Sequence, residues 1–219
     1  MTNILVFGAG GRAGRTVLAE ALSRDHCVTA AVRNETAHAD IATTGARLVT
    51  ADATDTERVA AVAPGHDVVV NATRPTGDNR TDHFTRMNDT LLAGLEFTAV
   101  PRLVLIGGAG TLETVDGTQF VDTPGFPESA KPRGLARRDA LAALQSREAA
   151  IDWYYLIPAP RFFPDGERTG TYRISSSRKL SALARTDISY ADFAVGLVDE
   201  IETARHARTP ITLTSAPEF

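Results

Sequence analysis

The sequence predicts an α/β fold with a doubly wound parallel sheet, and two observations carry that prediction. First, the apolar run Ile4–Phe7 leads into a glycine-rich turn and then into apolar residues at helical spacing, which is typical of strand, turn and helix. Second, strand-like apolar runs and amphipathic helical segments keep alternating along the chain. Because the 219 residues show no repeat, linker or low-complexity tract, residues 1–219 are expected to form a single domain.

The glycine-rich turn has the sequence Gly8-Ala-Gly-Gly-Arg-Ala-Gly14, and its glycines have separate predicted roles. Gly8 permits a tight turn, Gly11 lets the backbone approach a pyrophosphate, and Gly14 lets the helix pack closely on the strand. The helix N-terminus directs unpaired N–H groups and a partial positive charge at the phosphates. Flanked by strand and helix, the turn indicates a dinucleotide site rather than a simple loop. The predicted cofactor-binding residues here are Gly8, Gly10, Gly11, Arg12, Ala13 and Gly14.

A basic residue follows the second expected strand, His26 to Val32, which also contains the lone cysteine, Cys27. Folds that prefer NAD usually place an acid near this position to bind the adenosine ribose, and that acid repels a 2′-phosphate. Arg33 can instead bind a 2′-phosphate through two charge-assisted hydrogen bonds of its guanidinium, with Arg12 as a second contact. NADP (NADPH) is therefore the expected cofactor. Two alternatives stay open: the cofactor is NAD, or Arg12 and Arg33 are simply solvated and bind no phosphate. Cys27 is expected to be small, apolar and buried.

Further cofactor contacts are expected where later strands end, because ligands of doubly wound sheets gather at the carboxyl ends of the strands. The third strand, Ala46 to Thr50, precedes Asp52, which either lies beside the adenine or caps the helix that begins near Thr54. The fourth strand ends at Asn71 beside the ribose, and the fifth strand, Arg102 to Ile106, ends beside the nicotinamide. The candidates at these ends are Asp52, Ala53, Ala72, Thr73, Arg74, Gly107, Gly108 and Pro158.

The remaining segments complete a pattern of six or seven strands alternating with helices. Phe84, Met87, Leu91 and Leu95 mark the core face of one long helix. Later elements are a helix over 133–147, a strand over 152–157, a short strand near Tyr172, a helix that starts at Ser189 and a strand over 210–214.

Catalytic residues of the familiar kinds are missing. A short-chain dehydrogenase needs a Tyr four residues before a Lys, but Pro127 and Ser175 precede the two lysines, Lys131 and Lys179. The histidines and single cysteine show no metal spacing, and no G-x-S-x-G sequence occurs. Reduction of a ketone needs a proton donor, whereas a flavin spreads the added charge over its ring. A site without an evident acid therefore suits hydride transfer to a flavin, achieved by positioning.

The acceptor is expected to rest between the turn after Ile106 and two aromatic residues that follow the sixth strand. The substrate-side segments are about 107–132 and 158–188. Thr111 and Lys131 are the nominated catalytic groups, although the favoured explanations are a turn hydroxyl bonded to backbone for Thr111 and a solvated lysine beside a helix start for Lys131. The predicted substrate-binding residues are Gly110, Arg161, Phe162 and Phe163.

The chain resembles the proposed NADH-flavin reductases among the bacterial atypical short-chain dehydrogenase/reductases, which are relatives of biliverdin-IXβ/flavin reductase and of NAD(P)-binding nitrogen-repression regulators. The three-residue spacing of Gly8, Gly11 and Gly14 fits that group, and the resemblance runs nearly end to end. Pro160 and Arg161 depart from the family pattern, in which aromatics directly follow an alanine. The resemblance implies a Rossmann fold, NAD(P)H binding and flavin reductase activity. It rests on Gly8–Gly14, Ile106–Leu112, Val121–Pro127, Asp152-Trp153, Gly166–Gly170, Tyr172-Arg173 and Ile188–Ala194.

Three functions remain open at this point. The first is an NADPH-dependent reductase of a flavin, used as a substrate rather than bound tightly, or of another flat conjugated molecule. The second is reduction of a ketone or enone on a specialised metabolite, and the third is a redox-sensing protein that binds NADP(H) without turnover. The net charge of −4 and the absence of a long apolar run predict a small-molecule partner rather than nucleic acid or membrane, and a cytoplasmic location. The sequence favours no particular oligomeric state.

Overall fold

In the computed structural model, which describes residues 1–74, 82–148, 150–183 and 185–217, a sheet of eight strands has helices on both faces. The strand order is β3-β2-β1-β4-β5-β6-β10-β8; only β8 runs antiparallel to its neighbour, β10. A separate parallel pair joins β7 and β9. The strands are β1 Asn3–Phe7, β2 Cys27–Val32, β3 Arg47–Thr50, β4 Val68–Asn71, β5 Arg102–Ile106, β6 Asp152–Pro158, β7 Arg161–Phe163, β8 Tyr172–Ser175, β9 Asp187–Ser189 and β10 Thr209–Ser215.

In the described part of the chain, five α-helices cover the sheet in two groups. The helices are α1 Arg12–Ser23, α2 Thr56–Val62, α3 His83–Leu95, α4 Lys131–Ser146 and α5 Tyr190–Thr203. In β1, Ile4 and Val6 face the apolar cluster under α1 and α5, whereas Leu5 and Phe7 face the cluster under α2, α3 and α4. Both faces of a parallel strand are thus buried, which explains the uninterrupted apolar run that predicted this strand.

The predicted doubly wound α/β sheet is confirmed, with some differences of detail. The main sheet has eight strands rather than six or seven, and β7 and β9 had no signal of their own because each is only three residues long. Cys27 is exposed, so the prediction of a buried cysteine is wrong. It is the first residue of β2 and pairs with Asn3, which is also exposed, so it lies at the solvent-exposed amino end of the sheet.

The order of the strands places a crevice at a defined point. The chain runs outward from β1 through β2 to β3, then returns across the sheet to β4 on the other side of β1. Such a reversal leaves a gap between helices at the carboxyl ends of β1 and β4, where ligands bind in folds of this kind. None of the helices in the described part of the chain combines the length and apolar character needed to cross a membrane.

Candidate active site

A cavity of about 1130 Å³ lies at this edge of the sheet. Its walls come from the segments that follow six parallel strands in turn, so it extends across the sheet rather than into one loop. The residues that line it directly after β1, β2, β3, β4, β5 and β6 include Gly8, Arg33, Asp52, Ala72, Gly107 and Ala159.

The turn between β1 and α1 has the geometry expected for close approach to a ligand. Gly8 has a φ of +76°, a conformation that side chains rarely adopt, and a Cβ there would lie 2.8 Å from the backbone of Thr73. A Cβ on Gly14 would lie 2.2 Å from the Gly8 carbonyl oxygen, so Gly14 brings α1 close to the turn, whereas the sequence predicted close packing of the helix on the strand. Gly14 does not line the cavity, whereas Gly10, Gly11, Arg12 and Ala13 do.

His38 lines the cavity beside the turn and was not singled out in the sequence. Its ring occupies the space beside Gly10, where a Cβ would come within 2.5 Å of it. The Arg15 guanidinium donates to the Gly10 carbonyl oxygen at 3.2 Å, lies 3.5 Å from His38 Nδ1 and pairs with Asp40. This pairing holds the pKa of the exposed Asp40 carboxyl below its ordinary value. The turn is therefore held by contacts with α1 and with the segment between β2 and β3.

Positive charge gathers at the β2 end of the cavity, where Arg12 and Arg33 both belong to the lining. Asp52 also lines this end, and its Oδ1 accepts hydrogen bonds from the Thr54 backbone N–H at 2.9 Å and hydroxyl at 2.8 Å. The sequence left two roles open for Asp52, a place beside the adenine and the N-cap of α2. The N-cap of α2 is Asp55, whose carboxylate accepts a hydrogen bond from the Arg58 backbone N–H at 3.0 Å. Ala53 lines the cavity beside Asp52.

The middle of the cavity is formed after β4 and β5. Ala72, Thr73 and Arg74 line it, and the Thr73 hydroxyl donates to Asn71 Oδ1 at 2.7 Å. Gly107 lines it as well, and a Cβ there would meet the Tyr155 ring at 2.3 Å. The lining also includes the predicted Gly108, Gly110 and Pro158.

Arg137 of α4 faces this middle region. No sequence pattern predicted that it would line the site. Its guanidinium donates to the Ile106 carbonyl oxygen and lies 4.2 Å from the centre of the Phe84 ring. A Cβ on Gly108 would come within 2.7 Å of Arg137 Cδ, so this turn needs glycine for the arginine to fit. Burial lowers the pKa of the Arg137 guanidinium below its ordinary value.

The far end of the cavity is aromatic. Phe162 lines it and packs against Tyr190 and Phe193, with ring centres 4.0 Å and 4.9 Å away. Arg161 lines the same end, but Phe163 does not. Side chains alternate along a strand, and the Phe163 ring instead contacts the Arg161 guanidinium at 4.8 Å and covers Gly166. The lining residues here that the sequence analysis did not nominate include Phe120, Phe126, Arg133, Thr186 and Tyr190.

The two nominated catalytic groups lie outside the cavity lining. Thr111 is fully buried, and its hydroxyl donates to the Gly108 carbonyl oxygen at 2.8 Å, so it closes the turn. Lys131 begins α4 and pairs with Glu128 at 3.2 Å on the surface. Thr111 is therefore a turn hydroxyl bonded to backbone, and Lys131 is a surface lysine at the start of a helix. Each side chain bonds a neighbouring group outside the cavity.

Comparison with known proteins agrees with a nicotinamide-cofactor site in this cavity. A family model described as NAD(P)H-binding matches residues 8–204. The chain belongs to the NAD(P)H-binding family. YwnB of Bacillus subtilis is 33% identical over 218 residues, which cover 97% of this chain and 98% of YwnB. Two crystal structures each have a TM-score of 0.85 and cover 98% of this chain and all of their own: a proposed exported protein of Burkholderia pseudomallei, 37% identical, and a proposed NADH-flavin reductase of Streptococcus pneumoniae, 31% identical.

The residues at the site fit a nicotinamide dinucleotide. Backbone at Gly8, Gly10 and Gly11 forms a cradle in which a side chain would fill space or collide, and the N-terminus of α1 begins directly behind it. Arg33 and Arg12 place positive charge at the end expected for the adenosine. Among the described residues, no group of three or more His, Cys, Asp or Glu side chains is arranged to hold a metal ion.

The segment Gly166–Gly170, on which part of the family resemblance rests, contacts two helices of the fold. Arg168 pairs with Glu20 of α1 through two hydrogen bonds of 2.7 Å and 2.8 Å. The backbone N–H groups of Thr169 and Gly170 donate to Asp192, a buried carboxylate in the first turn of α5. These contacts hold the segment against two helices, and none of its residues lines the cavity.

Proposed function

We propose that this NAD(P)H-dependent oxidoreductase prefers NADPH and passes hydride to a flavin or another flat conjugated acceptor. The observation that carries the proposal is the division of the cavity into a cationic end at Arg12 and Arg33, a glycine-lined middle and an aromatic far end at Phe162 and Tyr190. A dinucleotide suits the first two parts, and a flat ring system suits the third.

Each part of the chain has a distinct proposed task. The Gly8–Gly14 turn binds the pyrophosphate, and Arg33 binds the 2′-phosphate with help from Arg12. The Gly107-Gly108 turn orients the nicotinamide, and NADPH supplies the hydride when it is bound. Phe162, stacked on Tyr190, provides a flat surface that positions the acceptor.

The tyrosines of β6 do not provide a proton donor. Tyr154 and Tyr155 are both buried, and burial raises the pKa of each phenol above its ordinary value. The Tyr155 hydroxyl also donates to the Arg137 backbone carbonyl at 3.3 Å. A reaction that needs only close positioning fits this arrangement better than one that needs an activated phenol. The proposed flavin reductase of S. pneumoniae supports the same acceptor class through its similarity.

The test is anaerobic mixing of the protein with NADPH and a panel of flavins and quinones, followed at the nicotinamide absorbance. We expect hydride transfer to at least one flavin, faster with NADPH than with NADH. Absence of transfer to every flat acceptor, with NADPH bound, would contradict the proposal.

A second candidate, reduction of a ketone or enone, is favoured by one observation. The Tyr190 hydroxyl belongs to a cavity-lining side chain and makes no hydrogen bond with any other residue that the structure describes. A phenol so placed can protonate an alkoxide. Tyr190→Phe separates the candidates: flavin reduction within a few-fold of wild type supports positioning, whereas loss of ~10²–10⁴-fold with a ketone supports acid catalysis.

A further inference from the structure

Unlike the other partly buried arginines that the structure describes, Arg102 and Arg137 have no acidic partner, and of these two Arg137 lines the cavity. Arg24 pairs with Glu20 and Asp199, and Arg178 pairs with Glu113. Even the adjacent Arg138 contacts Asp122 and Asp139. No carboxylate among the described residues pairs with Arg137, whose guanidinium donates to a neutral backbone carbonyl instead.

A partly buried guanidinium without a carboxylate partner is unfavourable unless another group, such as a bound anion, compensates its charge. Removing a cation from water costs free energy, and a neutral carbonyl and an aromatic face recover only part of that cost. The chain nevertheless fixes this guanidinium: α4 supplies it, the Ile106 carbonyl and Phe84 ring hold it, and Gly108 gives it room. The side chain also lines the cavity, and its guanidinium interacts electrostatically with Tyr190 of the aromatic end, so an acceptor that rests there can reach it.

We propose that Arg137 is the anion-binding residue of the acceptor site and holds the part of the acceptor that becomes negatively charged. This inference rests on the proposed reductase function and names a property of its substrate. A suitable acceptor is a flat molecule with an oxygen or nitrogen able to bear that charge. A hydride carries two electrons and one proton, so a neutral acceptor that gains it becomes a monoanion, while the donor becomes the oxidised nicotinamide. Water later supplies the proton that neutralises the anion.

With Arg137 in this position, the reaction needs no dedicated acid. A fixed cation stabilises the charge that develops on the acceptor and needs no proton transfer in the same step. Arg133 lies one helical turn earlier on α4 and also lines the cavity, but it is exposed and contributes at the rim. Solvent screens such a charge more strongly than that of Arg137.

One test needs no turnover. Protein saturated with NADP⁺ is titrated with 2-naphthoate, a flat anion, and with 2-naphthamide, its neutral counterpart. Wild type should bind 2-naphthoate about tenfold or more tightly than 2-naphthamide, which is the difference in dissociation constant expected from one charge-assisted hydrogen bond. Arg137→Met should lose that preference, and Arg137→Lys should keep part of it. Arg138→Met is the matched control and should leave the preference unchanged.

A second test measures single-turnover reduction of riboflavin, which is neutral and carries no phosphate. Arg137→Met should lower the rate about 100-fold or more while NADPH affinity and the thermal unfolding midpoint stay close to wild type. Arg137→Lys should recover part of the rate. Arg138→Met should react like wild type.

The outcomes separate this inference from the proposed function. If wild type reduces no flavin but Arg137→Met loses the naphthoate preference, the reductase proposal fails and the anion site stands. If flavins are reduced and a folded Arg137→Met keeps both its rate and its anion preference, the role of Arg137 is wrong. A loss of NADPH affinity as large as the loss of rate would also overturn it, because the arginine would then serve the cofactor.

Discussion

At the scale of single residues, charge at the β2 end of the cavity should decide the choice of cofactor. Arg33→Ala removes one proposed contact to the 2′-phosphate. A charge-assisted hydrogen bond contributes about 1.5–3 kcal/mol, so NADPH binding should weaken about tenfold to a hundredfold. NADH binding should barely change. The measurement is the dissociation constant of each cofactor by fluorescence titration.

Arg173 provides the control for that substitution, because it is exposed on β8 and outside the cavity lining. Arg173→Ala should bind both cofactors like wild type. Equal loss of NADPH and NADH in Arg33→Ala would contradict the 2′-phosphate role.

Some residues of the site could be predicted from sequence and others could not, for a physical reason. The Gly8–Gly14 turn and Arg33 follow a strand directly, so local sequence alone places them at its carboxyl end. Arg137 and Tyr190 reach the cavity from helices that are distant in sequence, and only the packing of α4 and α5 brings them there. Thr111 looked suitable beside its glycines, yet its hydroxyl is satisfied by the turn itself.

At the scale of elements, the turn between β1 and α1 should separate ligand binding from folding. Gly11 is extended, with φ −77° and ψ 164°, and a Cβ there would lie 3.3 Å from the Gly8 carbonyl oxygen. Gly11→Val should therefore fold but place a branched side chain where the pyrophosphate approaches, abolishing NADPH binding. Binding by calorimetry and unfolding by circular dichroism measure the two effects.

Gly14→Ala provides the contrast, because its Cβ would collide with the Gly8 carbonyl oxygen at 2.2 Å. It should lose stability as well as NADPH affinity. Retained NADPH affinity in a folded Gly11→Val would remove the cofactor assignment altogether.

The contact between α1 and the Gly166–Gly170 segment should make stability depend on pH. The Arg168 guanidinium, with Arg24, holds the pKa of the nearly buried Glu20 carboxyl below its ordinary value of 4.5. A carboxyl with a lowered pKa stabilises the folded state above its unfolded-state pKa, and that stability is lost as pH falls through the folded-state value. Glu20→Gln should thus be less stable than wild type near neutral pH.

The difference in unfolding free energy between wild type and Glu20→Gln should shrink as the pH falls below about 4.5. Urea denaturation at a series of pH values measures it. Glu96→Gln, exposed at the end of α3, is the control and should show no such convergence. A constant difference across the acidic range would mean that the ion pair does not stabilise the fold.

Helices and long strands were predictable because their apolar spacing follows their own geometry. β5, for example, has the bounds that the sequence predicted, Arg102 to Ile106. The Gly166–Gly170 segment carried part of the family resemblance, but its partners Glu20 and Asp192 lie on α1 and α5, so its supporting role could be identified only from the tertiary structure.

At the scale of the whole molecule, the cavity joins two ends that should work independently. Three strands separate β2 from β6 in the sheet, which puts their carboxyl ends about 19 Å apart at ~4.8 Å per strand. Phe162 follows β6 closely and Arg33 follows β2 directly. Phe162→Ala should therefore slow hydride transfer to flavin, because the acceptor loses its flat support, without changing NADPH affinity. Single-turnover rates and cofactor titrations distinguish the two effects.

Phe163→Ala is the matched control, since Phe163 is adjacent in β7 but lies outside the cavity lining. It should leave the rate of hydride transfer near that of wild type, although the sequence alone assigned both aromatics to the acceptor. The decisive measurement is the double variant Arg33→Ala/Phe162→Ala. Sites so far apart usually add within about 0.5 kcal/mol, so losses in apparent kcat/KM should multiply. A strong departure from that product would mean that cofactor and acceptor bind as one coupled unit.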